Sequence, residues 1–177
     1  MTPLIQVLST YADYHRDRRN IATHLFGVPM IVAGVAVLLS RPQLAWGDAA
    51  LSPAMAVATA AALWYLKLDR RYGAVMTLLL AAAVALGQAS AGGSLAAWGL
   101  LGGGLFLTGW IIQFIGHVFE GRKPAFVDDL IGLLVGPLFV VAEIGFALGL
   151  RREVMAAVTA RSGPVHTGRR HAATARR

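Results

Sequence analysis

The sequence predicts an all-α integral membrane protein: a bundle of about four transmembrane helices, an N-terminal interfacial helix, and a last apolar segment broken at a Gly-Pro pair. Three observations carry this. Hydrophobic residues make up 56% of the chain and charged residues only 14%, with mean hydropathy +0.61, a balance that a solvated soluble surface does not allow. Apolar runs of bilayer-spanning length recur, and Lys and Arg gather on one set of connecting segments. No cysteine is present, so disulfides and thiolate metal sites are ruled out, and any metal has to use His, carboxylate or amide ligands.

Thr2 and Pro3 read as an N-cap and first helical residue. Leu4, Leu8, Tyr11 and His15 then recur at helical spacing beside Ile5 and Ala12, giving a short helix that lies on the membrane. Arg16, Arg18 and Arg19 follow those apolar residues, the reverse of the order in a cleavable signal. Asn20 reads as the cap of a second helix that runs through Ile21 and His24 to about Ser40. In one continuous helix His15 and His24 would stand about 180° apart and ~13 Å along the axis, so they converge only if the chain kinks near Arg18 to Asn20.

Apolar runs over 49–66, 74–91 and 95–119 read as three further spans. Gly99 with Gly103, Gly132 with Gly136, and Gly145 with Gly149 put small residues four apart, which permits close helix contact. Gly121 and Pro124 stop the fourth span, and Asp128 and Asp129 cap the next helix. With the N-terminus inside, Arg16, Arg18, Arg19, Lys67, Arg70, Arg71, Arg122 and Lys123 face the cytoplasm, and Arg41 alone faces the other side. The run 130–150 is interrupted by Gly136 and Pro137, so a hairpin or re-entrant element returns the tail to the cytoplasm; a plain fifth span is the alternative.

Residues 1–150 thus form one membrane-embedded domain, and 151–177 a basic tail. Seven arginines against Glu153 in that tail account for six of the seven net positive charges. Beside a membrane such a tail marks the cytoplasmic side and attracts anionic lipid, and no nucleic-acid partner is expected. Its C-terminal part has no apolar periodicity and reads as disordered and dispensable, which sets His166 and His171 aside.

The chemistry gathers at the end of the fourth span, in GWIIQFIGHVFEGRKPA. Trp110, Gln113, His117 and Glu120 recur at intervals of three and four and share one helix face. His15 and His24 reach the same membrane depth from the N-terminal side. Three histidines and a carboxylate at one level of a charge-poor protein form a candidate metal site of His15, His24, His117 and Glu120. Such ligands suit iron, manganese or zinc, and two or three His with one carboxylate is the pattern of non-haem Fe(II) oxygen chemistry. Asn20, Gln113 and Glu143 are candidate supporting groups or ligands, and Arg19, Arg122 and Lys123 candidate anchors for an anionic substrate. The bland alternative makes the histidines interfacial residues bonded to lipid or backbone, and pairs Glu120 with Arg122 or Lys123. The chain is then a non-enzymatic lipid-binding or scaffold protein.

The segments YHRDRRNIATHLFGVP, WIIQFIGHVFEGRKPAFVDDL and GPLFVVAE resemble the family of small membrane proteins typified by the fungal endoplasmic-reticulum 2-hydroxy fatty acid dioxygenase, over roughly residues 10 to 150. The resemblance implies an Fe(II)-dependent oxygenase that uses O2 to shorten a 2-hydroxy fatty acid by one carbon, with CO2 release, as in fatty acid α-oxidation. It also implies histidine-dependent iron use, mapping onto His15, His24 and His117. The expected location is the inner membrane in a bacterium or the endoplasmic reticulum in a eukaryote, with the site facing the cytoplasm.

Overall fold

The Thr2 hydroxyl caps the first helix, accepting from the Ile5 amide at 3.4 Å, and Pro3 takes the next position, where its missing N–H costs nothing. The structure, a computed structural model, describes residues 2–46, 49–124 and 130–168. Helix α1 (Pro3–Ala12) is followed by α2 (Arg18–Ser40), strands β1 (Leu44–Trp46) and β2 (Ala49–Leu51), and then α3 (Pro53–Leu68), α4 (Arg70–Ala91), α5 (Leu95–Glu120), α6 (Gly132–Ala147) and α7 (Arg152–Ser162). The fold is all-α and membrane-like. Helices α2, α4 and α5, of 23, 22 and 26 residues, are long and apolar enough to cross a bilayer. Helix α3 is apolar but only 16 residues long, because the run 49–66 opens with a strand and Ser52 caps the helix late.

The chain divides into two compact units. The first comprises residues 1–26 and 112–177. In it α1 packs on α6 and α7, burying Leu4, Leu8, Tyr11 and Ala12 with Leu138, Phe139, Val154 and Val158. The second comprises residues 27–111. There α3 and α4 form a helical hairpin whose one-residue joint, Asp69, caps α4 by accepting from the Arg71 and Tyr72 amides at 2.9 and 3.0 Å. The hairpin of β1 and β2 pairs Leu44 with Leu51 and Trp46 with Ala49, and three-residue strands leave too short an alternation to be read in advance.

Two expected breaks fall elsewhere. The chain breaks between α1 and α2 at residues 13–17 and not at Arg18 to Asn20. Asp17 caps α2 in place of Asn20, its Oδ1 accepting from the Arg19 amide at 2.9 Å and its carbonyl from the Ile21 amide at 3.0 Å. In the last apolar run α6 continues through Pro137. Proline there lies near the N-terminus of the helix and removes one intrahelical donor. The run turns instead at residues 148–151: Gly149, with φ of 75°, and Leu150 donate back to the Phe146 and Gly145 carbonyls, a terminator that requires a left-handed residue. Helix α7 then departs at 114° to α6.

Of the glycines expected to permit close contact, Gly136 does so, since a Cβ there would lie 3.0 Å from the Tyr11 hydroxyl, and others not expected do as well. Around Gly99 and Gly103 there is open space, whereas a Cβ at Gly34 would meet the backbone of Phe106 and Gly102 at 2.7 and 2.8 Å. The tail does pack: Val154 and Val158 are buried, and the Ser162 hydroxyl donates to the Ser9 carbonyl at 2.9 Å. Asp128, Asp129 and His171 lie outside the described residues.

Candidate metal centre

His15, His24 and His117 come together in the first unit, all buried, each offering a ring nitrogen within 4.8 Å of the others. His15 sits in the linker between α1 and α2, which stays turned because the Tyr14 and His15 amides donate back to Tyr11 and Ala12 at 3.1 and 3.0 Å. Its ring stacks on Tyr11 at 4.1 Å and 6°. His24 lies in the second turn of α2, and His117 one turn before the end of α5, its ring 5.0 and 5.2 Å from the other two.

The proton positions follow from the partners. Nδ1 of His15 donates to the Tyr11 carbonyl at 2.7 Å, and Nδ1 of His24 to the Asn20 carbonyl at 2.9 Å. A carbonyl only accepts, so both Nδ1 atoms carry the hydrogen and both Nε2 atoms present lone pairs. Yet the two Nε2 atoms face each other at 3.0 Å. Two lone pairs so placed need an electrophile. A proton is disfavoured, because burial, followed by the charges of His24 and His117, holds the His15 imidazole well below its ordinary pKa of 6.5. A metal ion fits: adjacent ligands about 2.1 Å from one ion stand roughly 3 Å apart. Nδ1 of His117 is buried with no hydrogen-bond partner among the described residues.

Glu120 does not join this group. Its carboxylate accepts from the Arg16 amide at 3.0 and 3.1 Å, the Asp17 amide at 2.9 Å and Asn20 Nδ2 at 3.0 Å. It ties the end of α5 to the linker that carries His15. Asn20 supports the site twice, through its carbonyl on His24 and its amide on Glu120. Gln113 is buried one turn before His117, with both amide atoms unpartnered among the described residues. Glu143 lies 3.7 Å from Arg16 Nη2.

The expected substrate anchors are largely engaged. Arg19 is spent on Asp17, at 2.9 Å, and on the Phe119 ring at 4.6 Å. Arg122 donates to the Asp13 carbonyl and covers the Tyr14 ring, while Lys123 is exposed. Arg122, Arg16, Asp13, Glu120, Ser162 and His166 line an open cavity of about 790 Å³.

Sequence reasoning missed Arg16, Asp17 and His166. Arg16 is buried, with Nε donating to the Ala12 and His15 carbonyls at 3.0 Å and Nη1 to the Gly163 carbonyl at 3.0 Å. Burial lowers its pKa, opposed first by the nearby Glu143 carboxylate. Asp17, fully buried, has its pKa lowered to about 2, chiefly by the Arg19 side chain. His166 pairs with Asp17 as a parallel bridge: the Arg18 amide donates to the His166 carbonyl at 2.8 Å, and the His166 amide to the Arg16 carbonyl at 2.9 Å. The Gly168 amide adds a bond to Asp17 Oδ2 at 3.1 Å. Only Asp17 left a readable signal, an acid immediately before a helix.

A family model described as 2-hydroxy-palmitic acid dioxygenase Mpo1-like matches residues 1–148. The chain is 30% identical over 159 residues to the 2-hydroxy-palmitic acid dioxygenase MPO1 of Saccharomyces cerevisiae, covering 84% of this chain and 83% of the yeast protein. No solved structure matches.

Proposed function

The chain belongs to the Mpo1-like family of 2-hydroxy-palmitic acid dioxygenases, and from that premise we propose that it is a non-haem Fe(II) dioxygenase of the membrane that shortens 2-hydroxy fatty acids by one carbon. The atoms balance when one 2-hydroxy acid and one O2 give the shorter acid, CO2 and water. The supporting observation is the 3.0 Å approach of two Nε2 lone pairs, with His117 beside them.

His15, His24 and His117 are the ligands in this reading, and two of them spend Nδ1 hydrogens on fixed carbonyls, which leaves their Nε2 lone pairs for the metal. Ferrous iron, when bound there, supplies O2 activation and a Lewis-acid contact for the hydroxy acid. Glu120 fixes the His15 linker, and the charge of Arg122, at the open cavity, draws the substrate carboxylate toward the site. The cytoplasmic orientation rests on the Lys/Arg bias of the connecting segments.

Purified protein reconstituted with Fe(II) under anaerobic conditions and then given O2 and 2-hydroxypalmitate labelled at carbon 1 tests the proposal. Labelled CO2 is expected in equal amount to the O2 consumed. Retention of the label in the acid product, or oxygen uptake that is the same without Fe(II), overturns it.

A further inference from the structure

Gln113 is 4% exposed, and neither Nε2 nor Oε1 has a hydrogen-bond partner among the described residues. An amide has two donors and two acceptor sites, and leaving all of them unused inside an apolar helix bundle is costly enough to be rare. The amide stands seven residues in from Glu120, about 10 Å from the charged end of α5.

Its neighbours locate what it faces. Glu120 bonds Asn20, His117 lies beside His24, and a Cβ at Gly116 would collide with Thr23 and Asn20. As numbers fall along α5 they rise along α2, so the helices run antiparallel. Gln113 therefore lies one turn deeper than His117, about 6 Å along the axis. Together with Nδ1 of His117, three unpartnered polar atoms occupy one face of α5 within a single turn.

We propose that Gln113 recognises the 2-hydroxyl of the substrate, its Oε1 accepting the hydroxyl hydrogen and its Nε2 donating to the adjacent carboxylate. This rests on the dioxygenase reading above. The order of groups in the acid matches the order of groups in the protein. The carboxylate and the 2-hydroxyl, on adjacent carbons, lie between the imidazoles and the Gln113 amide, and the acyl chain continues into the bilayer. A site built to bond a hydroxyl discriminates against a ligand that lacks it, because its own polar atoms are then left unpaired.

The test is a cycle between protein and ligand. Equilibrium displacement of labelled 2-hydroxypalmitate from iron-loaded protein in nanodiscs gives the affinities of 2-hydroxypalmitate and of palmitate, for wild type and for Gln113→Met, which keeps the volume and removes the hydrogen bonds. Wild type should prefer the hydroxylated acid, and that preference should shrink about tenfold or more in Gln113→Met with iron content unchanged. A preference equal to wild type in Gln113→Met, whether or not both affinities fall together, overturns the inference. Gln113→Glu serves if the methionine variant does not fold: it retains an acceptor for the hydroxyl and repels the carboxylate, so both acids should weaken by the same factor. Unchanged affinity of both acids in Gln113→Glu overturns the inference as well. Failure of the dioxygenase reading would appear instead in wild-type iron content and labelled CO2, which the cycle does not use.

Discussion

The Glu120 carboxylate straddles the backbone nitrogen of Arg16, at 3.0 and 3.1 Å, across 104 residues of sequence. It thereby pins the linker that carries His15 to the helix that carries His117. With Asp17 and Asn20 also donating to it, this carboxylate is surrounded by N–H groups.

Glu120→Gln places an amide donor against those N–H groups. Each hydrogen bond to a charged acceptor contributes roughly 1.5–3 kcal/mol, so the variant should unfold at lower temperature and bind iron about tenfold to a hundredfold more weakly. Iron titration and thermal unfolding in detergent measure both. Unchanged affinity with unchanged unfolding would show that the carboxylate does not hold the linker.

His24→Ala and His117→Ala each remove a proposed ligand and should abolish stoichiometric iron and oxygen consumption. Ligand binding to the folded state stabilises by about 2.7 kcal/mol at a hundredfold excess over Kd. Chelation should therefore lower the unfolding temperature of wild type and leave both variants unmoved. A variant that keeps normal iron would remove that histidine from the set.

Truncation after Arg161 deletes the Ser162, Gly163, His166 and Gly168 contacts to Ser9, Arg16, Arg18 and Asp17. It should cost about 2–4 kcal/mol, several hydrogen bonds of roughly 0.5–1.5 kcal/mol each, and loosen iron. Truncation after Gly168 keeps every one of these bonds and should behave as wild type. Equal iron content and stability in the two truncations would return the tail to the dispensable role that its composition suggests.

Asp17 gives a pH signature. Its folded pKa of about 2 lies below its ordinary 3.8, so its contribution to stability is present above about pH 4 and is lost as pH falls through about 2. Asp17→Asn should be less stable than wild type at neutral pH, and the gap should close between about pH 4 and 2. Unfolding temperatures measured across that range check it; a gap that widens on acidification contradicts the assignment.

Three of the expected spans and the clustering of the three histidines were legible because each depends on local pattern: apolar length for α2, α4 and α5, and helical spacing combined with charge placement for His15, His24 and His117. Glu120 was singled out as well, but its bonds to the Arg16 and Asp17 amides were not legible, since a carboxylate one turn from a histidine looks the same whether it faces a metal or a distant backbone. The α6–α7 turn was misplaced because Pro137 is a stronger sequence signal than Gly149. What decided the turn was the left-handed backbone at Gly149 and Arg151 together with the burial that α7 gains against α1. His166 could not have been found, because its role runs through main-chain pairing and its side chain leaves no spacing to read.

The pairing of His166 with Asp17 also orders events during synthesis. The ribosome delivers the Arg16 linker early and its partner at Gly163 147 residues later, which at about 5–20 residues per second is roughly 7–30 s of translation. The Glu120 carboxylate follows Arg16 by 104 residues, so for the greater part of that interval the nascent N-terminus carries His15 and His24 without the carboxylate or the third imidazole, and through all of it without the closing bridge. Iron acquired before α5 is made would meet only two of the three proposed ligands.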